Sequence, residues 1–107
     1  MKIEHLNKEE KETIVRYIMK CYRASKQNIE YLEQCDLISE KIEEYRTEKK
    51  TCLLIERALN EMEVPLKEFF VSELMEKKRV DLANAKCSRS NYYRLRAQAV
   101  DDFLRCL

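Results

Sequence analysis

Apolar residues recur at intervals of three and four along most of this chain, and polar residues fill the places between them. Ile14, Val15, Ile18, Met19 and Tyr22 form one such face, which predicts an amphipathic helix. Asn7 followed by Glu10 has the form of a capping box at its start. Met1 to Leu6 reads as a lead-in, and the helix is expected to end near Tyr22 or Ala24. Ser25 can cap a second helix. Ile29, Leu32, Cys35, Ile38, Ile42 and Tyr45 continue the three-four rhythm. Tyr31, Ile38, Tyr45, Cys52 and Leu59 also recur every seven residues, as a coiled coil or the inner face of a bundle helix does. The polar run Thr47–Thr51 leaves two readings open. Either one helix spans about 26–61, or a turn at 47–51 lets Thr51 cap a third helix with Leu53, Leu54, Ala58 and Leu59 inward.

Val64-Pro65 is a firmer boundary. A residue before proline disfavours the helical region, and proline suits the first helical position. A new helix is therefore expected from Pro65 to about Lys77. Leu66, Phe69, Phe70, Glu73 and Leu74 make it the most hydrophobic segment, with Phe69 and Phe70 at the centre of the C-terminal core. Glu76 to Arg79 reads as a surface connection, and Val80 to Lys86 as a short helix with Val80, Leu82 and Ala85 inward. Ser88 then caps a last helix running to Leu107. Tyr92, Leu95, Ala99 and Phe103 form its narrow apolar stripe.

The composition supports helices throughout. The 107 residues include no glycine and a single proline, whereas tight hairpin turns favour Gly or Asn-Gly. The fold class expected is all-α. An N-terminal helical hairpin or coiled-coil region over 1–62 is followed by a helix-turn-helix region over 63–107. With 45% hydrophobic and 38% charged residues, the chain can bury a modest core. The five cysteines lie 14, 17, 35 and 19 residues apart and the only histidine is His5. That spacing argues against zinc, which needs ligand pairs close in sequence. An odd number of scattered cysteines fits reduced thiols in the cytoplasm, each a small apolar core or boundary residue. The charged first ten residues do not resemble a secretory signal, and no apolar run approaches the roughly 18 residues of a membrane span.

Charge is uneven along the chain. Residues 1–63 hold twelve Lys/Arg against fourteen Asp/Glu, and residues 64–107 hold nine against six. The basic excess falls with the last helix, whose N-terminal turns present Arg89, Ser90, Asn91, Tyr93, Arg94 and Arg96 opposite the apolar stripe. From Lys86 to Gln98 there is no acidic residue. Arg can hold phosphate or pair with guanine, and Asn can pair with adenine. These are the residue types of a recognition helix. The plainer alternative is the last helix of a bundle with its charges in water.

The run Ser88-Arg89-Ser90-Asn91-Tyr92-Tyr93-Arg94-Leu95, with Ala99-Val100 and Phe103-Leu104 behind it, resembles the end of the helix-turn-helix in the C-terminal domain of sigma factors. It is closer still to phage-encoded transcriptional regulators of the ArpU and RinA type, whose pattern is S-x-S-T-x-Y-R followed by an Ala-apolar pair. The likeness extends upstream to Leu59, Met62 and Pro65, about the C-terminal half of the chain. One stretch departs from the pattern: Lys86 stands at the usual glycine of the turn, where positive φ is often needed, and Leu82-Ala83 sits one residue late. The resemblance implies a phage or prophage regulator of late genes in a bacterial host cell, binding double-stranded DNA and suited to contact RNA polymerase. In that reading Arg89, Asn91, Tyr93 and Arg94 face the major groove. Ser90, Lys86, Lys77, Lys78 and Arg79 contact phosphates. The seven-residue stripe suits a homodimer.

Little points to catalysis. Without glycine there is no phosphate-cradling loop, His5 has no catalytic setting, and the carboxylates alternate with cations as helix-surface pairs do. A non-enzymatic binding protein with no cofactor is the expectation. The alternative to DNA binding is a helical protein-interaction module, an adaptor or an inhibitor of a host factor. Asp101 and Asp102 favour that alternative, because acids on the last helix repel phosphate.

Overall fold

A computed structural model describes residues 2–75 and 89–107. The described chain is all-helical and contains no strand. Its elements are α1 (Lys8–Gln34), α2 (Ile42–Glu61), α3 (Val64–Phe70) and α4 (Arg89–Cys106). A wider π-type turn, Val71–Met75, continues directly from α3. The short helix expected at 80–86, the 76–79 connection and the Ser88 cap lie outside the described residues.

α1 begins with the capping box read from sequence. Asn7 Oδ1 accepts from the Glu10 amide at 2.8 Å, and Glu10 Oε1 accepts from the Asn7 amide at 3.1 Å. Two otherwise orphaned N–H groups are satisfied there. The lead-in is not loose, because Ile3 is buried in the core. No helix ends at Ala24 either. α1 runs through Ser25, which is itself buried between Tyr22 and Ile29 on one continuous stripe with Val15, Met19 and Leu32. Ser25 is a small residue on a packed face, so it does not serve as a cap.

The real break comes ten residues later. Asp36 adopts φ 54, a left-handed conformation that Asp tolerates better than most residues. The Leu37 amide donates to the Leu32 carbonyl at 2.9 Å and the Asp36 amide to the Glu33 carbonyl at 3.3 Å. This pair of bonds is a Schellman motif made with Asp where glycine is usual. The seven-residue spacing of Tyr31, Ile38, Tyr45, Cys52 and Leu59 therefore crosses a chain reversal and marks no single helix. Tyr31 is exposed while Cys52 and Leu59 are buried.

α2 then spans the TEKKT run without a turn. The Thr47 and Thr51 hydroxyls donate to the carbonyls of Glu43 and Thr47, four residues back, at 2.9 and 3.1 Å. Back-bonding of this kind lets threonine sit inside a helix. The inward face of α2 is Cys52, Ile55, Ala58 and Leu59, and Leu53 and Leu54 point outward, 62% and 54% exposed. The expected inward pair is thus corrected. With no new start at Thr51, the Cys52–Ile55–Leu59 stripe faces α1. The two helices run antiparallel. Tyr22 donates to Glu56 at 2.8 Å, and Tyr45 donates to Glu33 at 3.0 Å, so partners move down α2 as they move up α1.

α3 starts at the Val64-Pro65 boundary with proline in its first turn. Phe70 is fully buried and stacks on Phe103 of α4, centroids 4.6 Å apart. Such a pair contributes about 0.5–1.5 kcal/mol beyond its area. Phe69 packs on Tyr92 at 5.5 Å. Asp102 of α4 accepts from the Glu63 amide at 3.1 Å, at the N-terminal end of α3 where a negative charge is favoured. One core cluster joins Ile3, α1, α2, Phe70 and Leu74 to Ala99, Val100, Phe103 and Leu104. The last helix is therefore docked on the body of the protein along its C-terminal half.

Candidate nucleic-acid interface

α4 divides along its length. Its C-terminal half buries Ala99, Val100, Phe103 and Leu104. In its N-terminal turns only Tyr92, Leu95 and Arg96 are half-buried, while Arg89, Ser90, Asn91, Tyr93 and Arg94 are exposed. Nothing from Arg89 to Val100 is acidic. The apolar stripe read from sequence fits, with Val100 and Leu104 added to it.

The five predicted residues in these turns are spread around the helix. At about 100° per residue, Arg89, Tyr93, Ser90 and Arg94 follow one another over an arc of about 140°, and Asn91 lies about 60° beyond Arg94. Ser90 and Arg94 form the middle of the exposed face. Tyr93 lies edge-on to Tyr92, centroids 5.3 Å apart, and the Lys8 ammonium sits 5.8 Å from its ring. Among the described residues, no acid forms an ion pair with Arg89 or Arg94. Lys77, Lys78, Arg79 and Lys86 lie outside the described residues.

Arg96 is different from its neighbours. Its Nε donates to Glu12 Oε1 at 2.9 Å, and the two side chains are only 19% and 18% exposed. Burial pulls the guanidinium pKa down, but the bond and charge of Glu12, helped by Tyr92, leave it raised. Arg96 therefore belongs to the body of the protein and not to the basic face. Its position signals this, four residues after Tyr92 and three before Ala99, inside the apolar stripe. Tyr92 is held as well, its hydroxyl donating to Glu73 Oε2 at 2.7 Å. Its pKa is raised, first by burial and then by that carboxylate, with Arg96 opposing.

The acids of α4 are also occupied. Asp101 pairs with Lys11 at 2.9 Å, and Asp102 serves the α3 start. Lys8 and Lys11, at the beginning of α1, come beside α4 although the sequence gives no hint of it beyond their charge.

A second surface stands apart from α4. Leu53 and Leu54 lie on the outer face of α2 beside a recess of about 430 Å³, with Arg46, Lys49, Lys50 and Arg57 also in its wall. The thiols follow their surroundings. Cys52 is buried, with its pKa raised by burial first and Glu56 second. Cys35 is exposed, a correction to its reading as a boundary residue, because it caps α1 beside the Asp36 turn. Cys87 lies outside the described residues. No helix among the described residues is long and apolar enough to cross a membrane.

No protein-family model, curated protein or solved structure matches the chain. Fold and site together define an all-helical protein with one core, whose last helix presents an acid-free, basic N-terminal half.

Proposed function

We propose that the protein is a non-enzymatic DNA-binding regulator that reads the major groove with the N-terminal turns of α4. The observation that carries the reading is the contrast between arginines on one helix. Arg96 is consumed by Glu12, whereas Arg89 and Arg94 stand exposed and paired with no acid among the described residues. Burying the far half of α4 against α1 and α3 leaves the near half open to enter a groove about 12 Å wide. In this reading Ser90 and Arg94 point to the groove floor, Arg89 and Tyr93 flank one side, and Asn91 flanks the other. Lys77, Lys78, Arg79 and Lys86 supply phosphate contacts. A role in activating late phage genes, with contact to RNA polymerase and action as a homodimer in the cytoplasm, extends the reading by the resemblance noted from sequence.

The test is fluorescence anisotropy on mixed-sequence duplex DNA between about 50 and 200 mM salt. Each phosphate that the protein neutralises releases counterions and so steepens the fall of affinity with salt. The Arg89→Ala/Arg94→Ala variant is expected to abolish binding while keeping its helical content. A folded protein that binds no duplex at low salt would sink the reading.

The exposed Leu53-Leu54 pair supports a second reading, an interaction module. Apolar side chains ringed by cations favour a partner helix with acidic and apolar residues. That reading needs no DNA, and Leu53→Glu/Leu54→Glu would abolish partner capture without touching α4.

A further inference from the structure

Arg23 of α1 and Glu73 of the π-type turn face one cavity of about 420 Å³ without meeting each other. Arg23 Nη1 and Glu73 Oε1 are both buried, and neither has a hydrogen-bond partner among the described residues. A buried polar atom left without a partner is costly, so a donor and an acceptor left open in one cavity point to something that fills both. Lys20 and Arg16 stand in the same wall, with Arg96 of α4.

The charges at this cavity do not balance. Arg96 and Arg16 share the Glu12 carboxylate, at 2.9 Å on Oε1 and 3.4 Å on Oε2. Glu73 spends its other oxygen, Oε2, on Tyr92. Among the described residues, four cations (Arg16, Lys20, Arg23, Arg96) thus stand with two carboxylates (Glu12, Glu73), a surplus of two positive charges. Among the described residues no ion pair takes up Lys20 or Arg23.

We propose that this cavity binds a small doubly charged anion that also bears a hydroxyl, of the class of polyol phosphate monoesters. The phosphate oxygens accept from Arg23 Nη1 and the Lys20 ammonium, and the hydroxyl donates to Glu73 Oε1. Met19 and Leu74 line the remainder and suit the carbon skeleton. The volume lies within the roughly 300–1,000 Å³ of ordinary ligand sites. Water at the open atoms would satisfy them but would leave the surplus charge unanswered. A DNA phosphodiester offers similar oxygens, yet it carries one charge and no free hydroxyl. The site is separate from the exposed turns of α4 and does not depend on the DNA reading.

Isothermal titration calorimetry and thermal melting test this with glycerol 3-phosphate, methyl phosphate and chloride at matched ionic strength. Concentrations reach about 10 mM, enough to fill a site with Kd near 1 mM. One-to-one binding of glycerol 3-phosphate, at least about fivefold tighter than methyl phosphate (a gap of about 1 kcal/mol), is expected, together with a raised Tm and no effect of chloride. Arg23→Met should abolish it while leaving the ligand-free Tm unchanged or higher. Lys20→Met, at an exposed position, should weaken it without touching the fold. Absence of binding to the wild type, or equal binding in both variants, would overturn the proposal. So would duplex DNA that displaces glycerol 3-phosphate and loses affinity in Lys20→Met, because those oxygens would then belong to the DNA backbone.

Discussion

Arg96 and Glu12 meet at 2.9 Å across 84 positions of sequence, and this bond ties the recognition-like half of α4 to the start of α1. Both side chains are largely covered, so removing one partner leaves the other charge half-buried. Glu12→Gln or Arg96→Met should each destabilise the fold by about 1–3 kcal/mol. The double variant should lose less than the sum of the two, with a coupling above about 0.5 kcal/mol in a double-mutant cycle. Urea midpoints measure this, and strict additivity would show that the bond contributes nothing in solution.

The Tyr22–Glu56–Lys26 group predicts how stability responds to alkali. Tyr22 is raised from its ordinary value of 10.0, first by burial and then by its bond to Glu56, against the opposing Lys26. Lys26 is raised from 10.5, mainly through Tyr22. Groups whose folded pKa lies above the unfolded value contribute stability that is complete below the unfolded value. That stability is lost as pH rises through the folded value. Stability should therefore hold to about pH 10 and fall beyond it. Tyr22→Phe should cost about 1 kcal/mol at neutral pH through the lost bond and should make the alkaline fall shallower. Urea melts at a series of pH values read both effects. Tyr92, shifted the same way, supplies part of the fall that remains.

The register of α2 separates two adjacent pairs of apolar residues. Ile55→Ala or Leu59→Ala opens a hole in the core and should cost about 2–5 kcal/mol. Leu53→Gln or Leu54→Gln changes a solvent-facing position and should stay within about 0.5 kcal/mol. Leu59 is inward in either register, so chemical denaturation decides it by comparing Ile55 with Leu53 and Leu54, and a larger loss at Leu53 or Leu54 than at Ile55 would return α2 to the inward set expected from sequence.

Asp36 bears the only positive φ among the described non-glycine residues. Asp36→Gly relieves that position and should raise stability by up to about 1 kcal/mol, whereas Asp36→Val should lower it by about 1–2 kcal/mol. The Tm of the two variants should bracket the wild type.

How much of this is legible depends on whether the signal is local. The Asn7–Glu10 cap, the Pro65 start and Phe70 are each specified within a few residues and appear where the sequence puts them, while Phe69, expected beside Phe70 at the centre of the core, is half-buried at its edge. The α1–α2 boundary is hidden because its left-handed residue is Asp36. Without glycine to mark it, the polar TEKKT run looks the better turn. Ser25 has the chemistry of a cap, but tertiary packing uses only its small size. Charge alone groups Arg96 with the basic face; its spacing from Tyr92 and Ala99 puts it in the apolar stripe, but its partner Glu12 lies 84 positions away, beyond the reach of any local pattern. Within the candidate interface, residue type and exposure at Arg89, Ser90, Asn91 and Arg94 are legible. Their spread around the helix follows from counting about 100° per residue. Lys8 beside Tyr93 is not foreseeable.

Arg94 and Arg105 lie on the same exposed side of α4, three turns apart, and they separate a groove-reading helix from a generally basic one. If the N-terminal turns enter the groove, Arg94→Ala should weaken duplex binding and reduce the salt slope by about one unit where the residue holds a phosphate, or relax base preference where it reads a base edge. Arg105 sits beside Asp101 and Asp102 on the half of α4 that packs on the body of the protein, so Arg105→Ala should leave affinity and slope unchanged. Anisotropy titrations of both variants at several salt concentrations give the comparison. Equal losses would mean that only overall charge draws the protein to DNA, and the N-terminal turns of α4 would lose their special role.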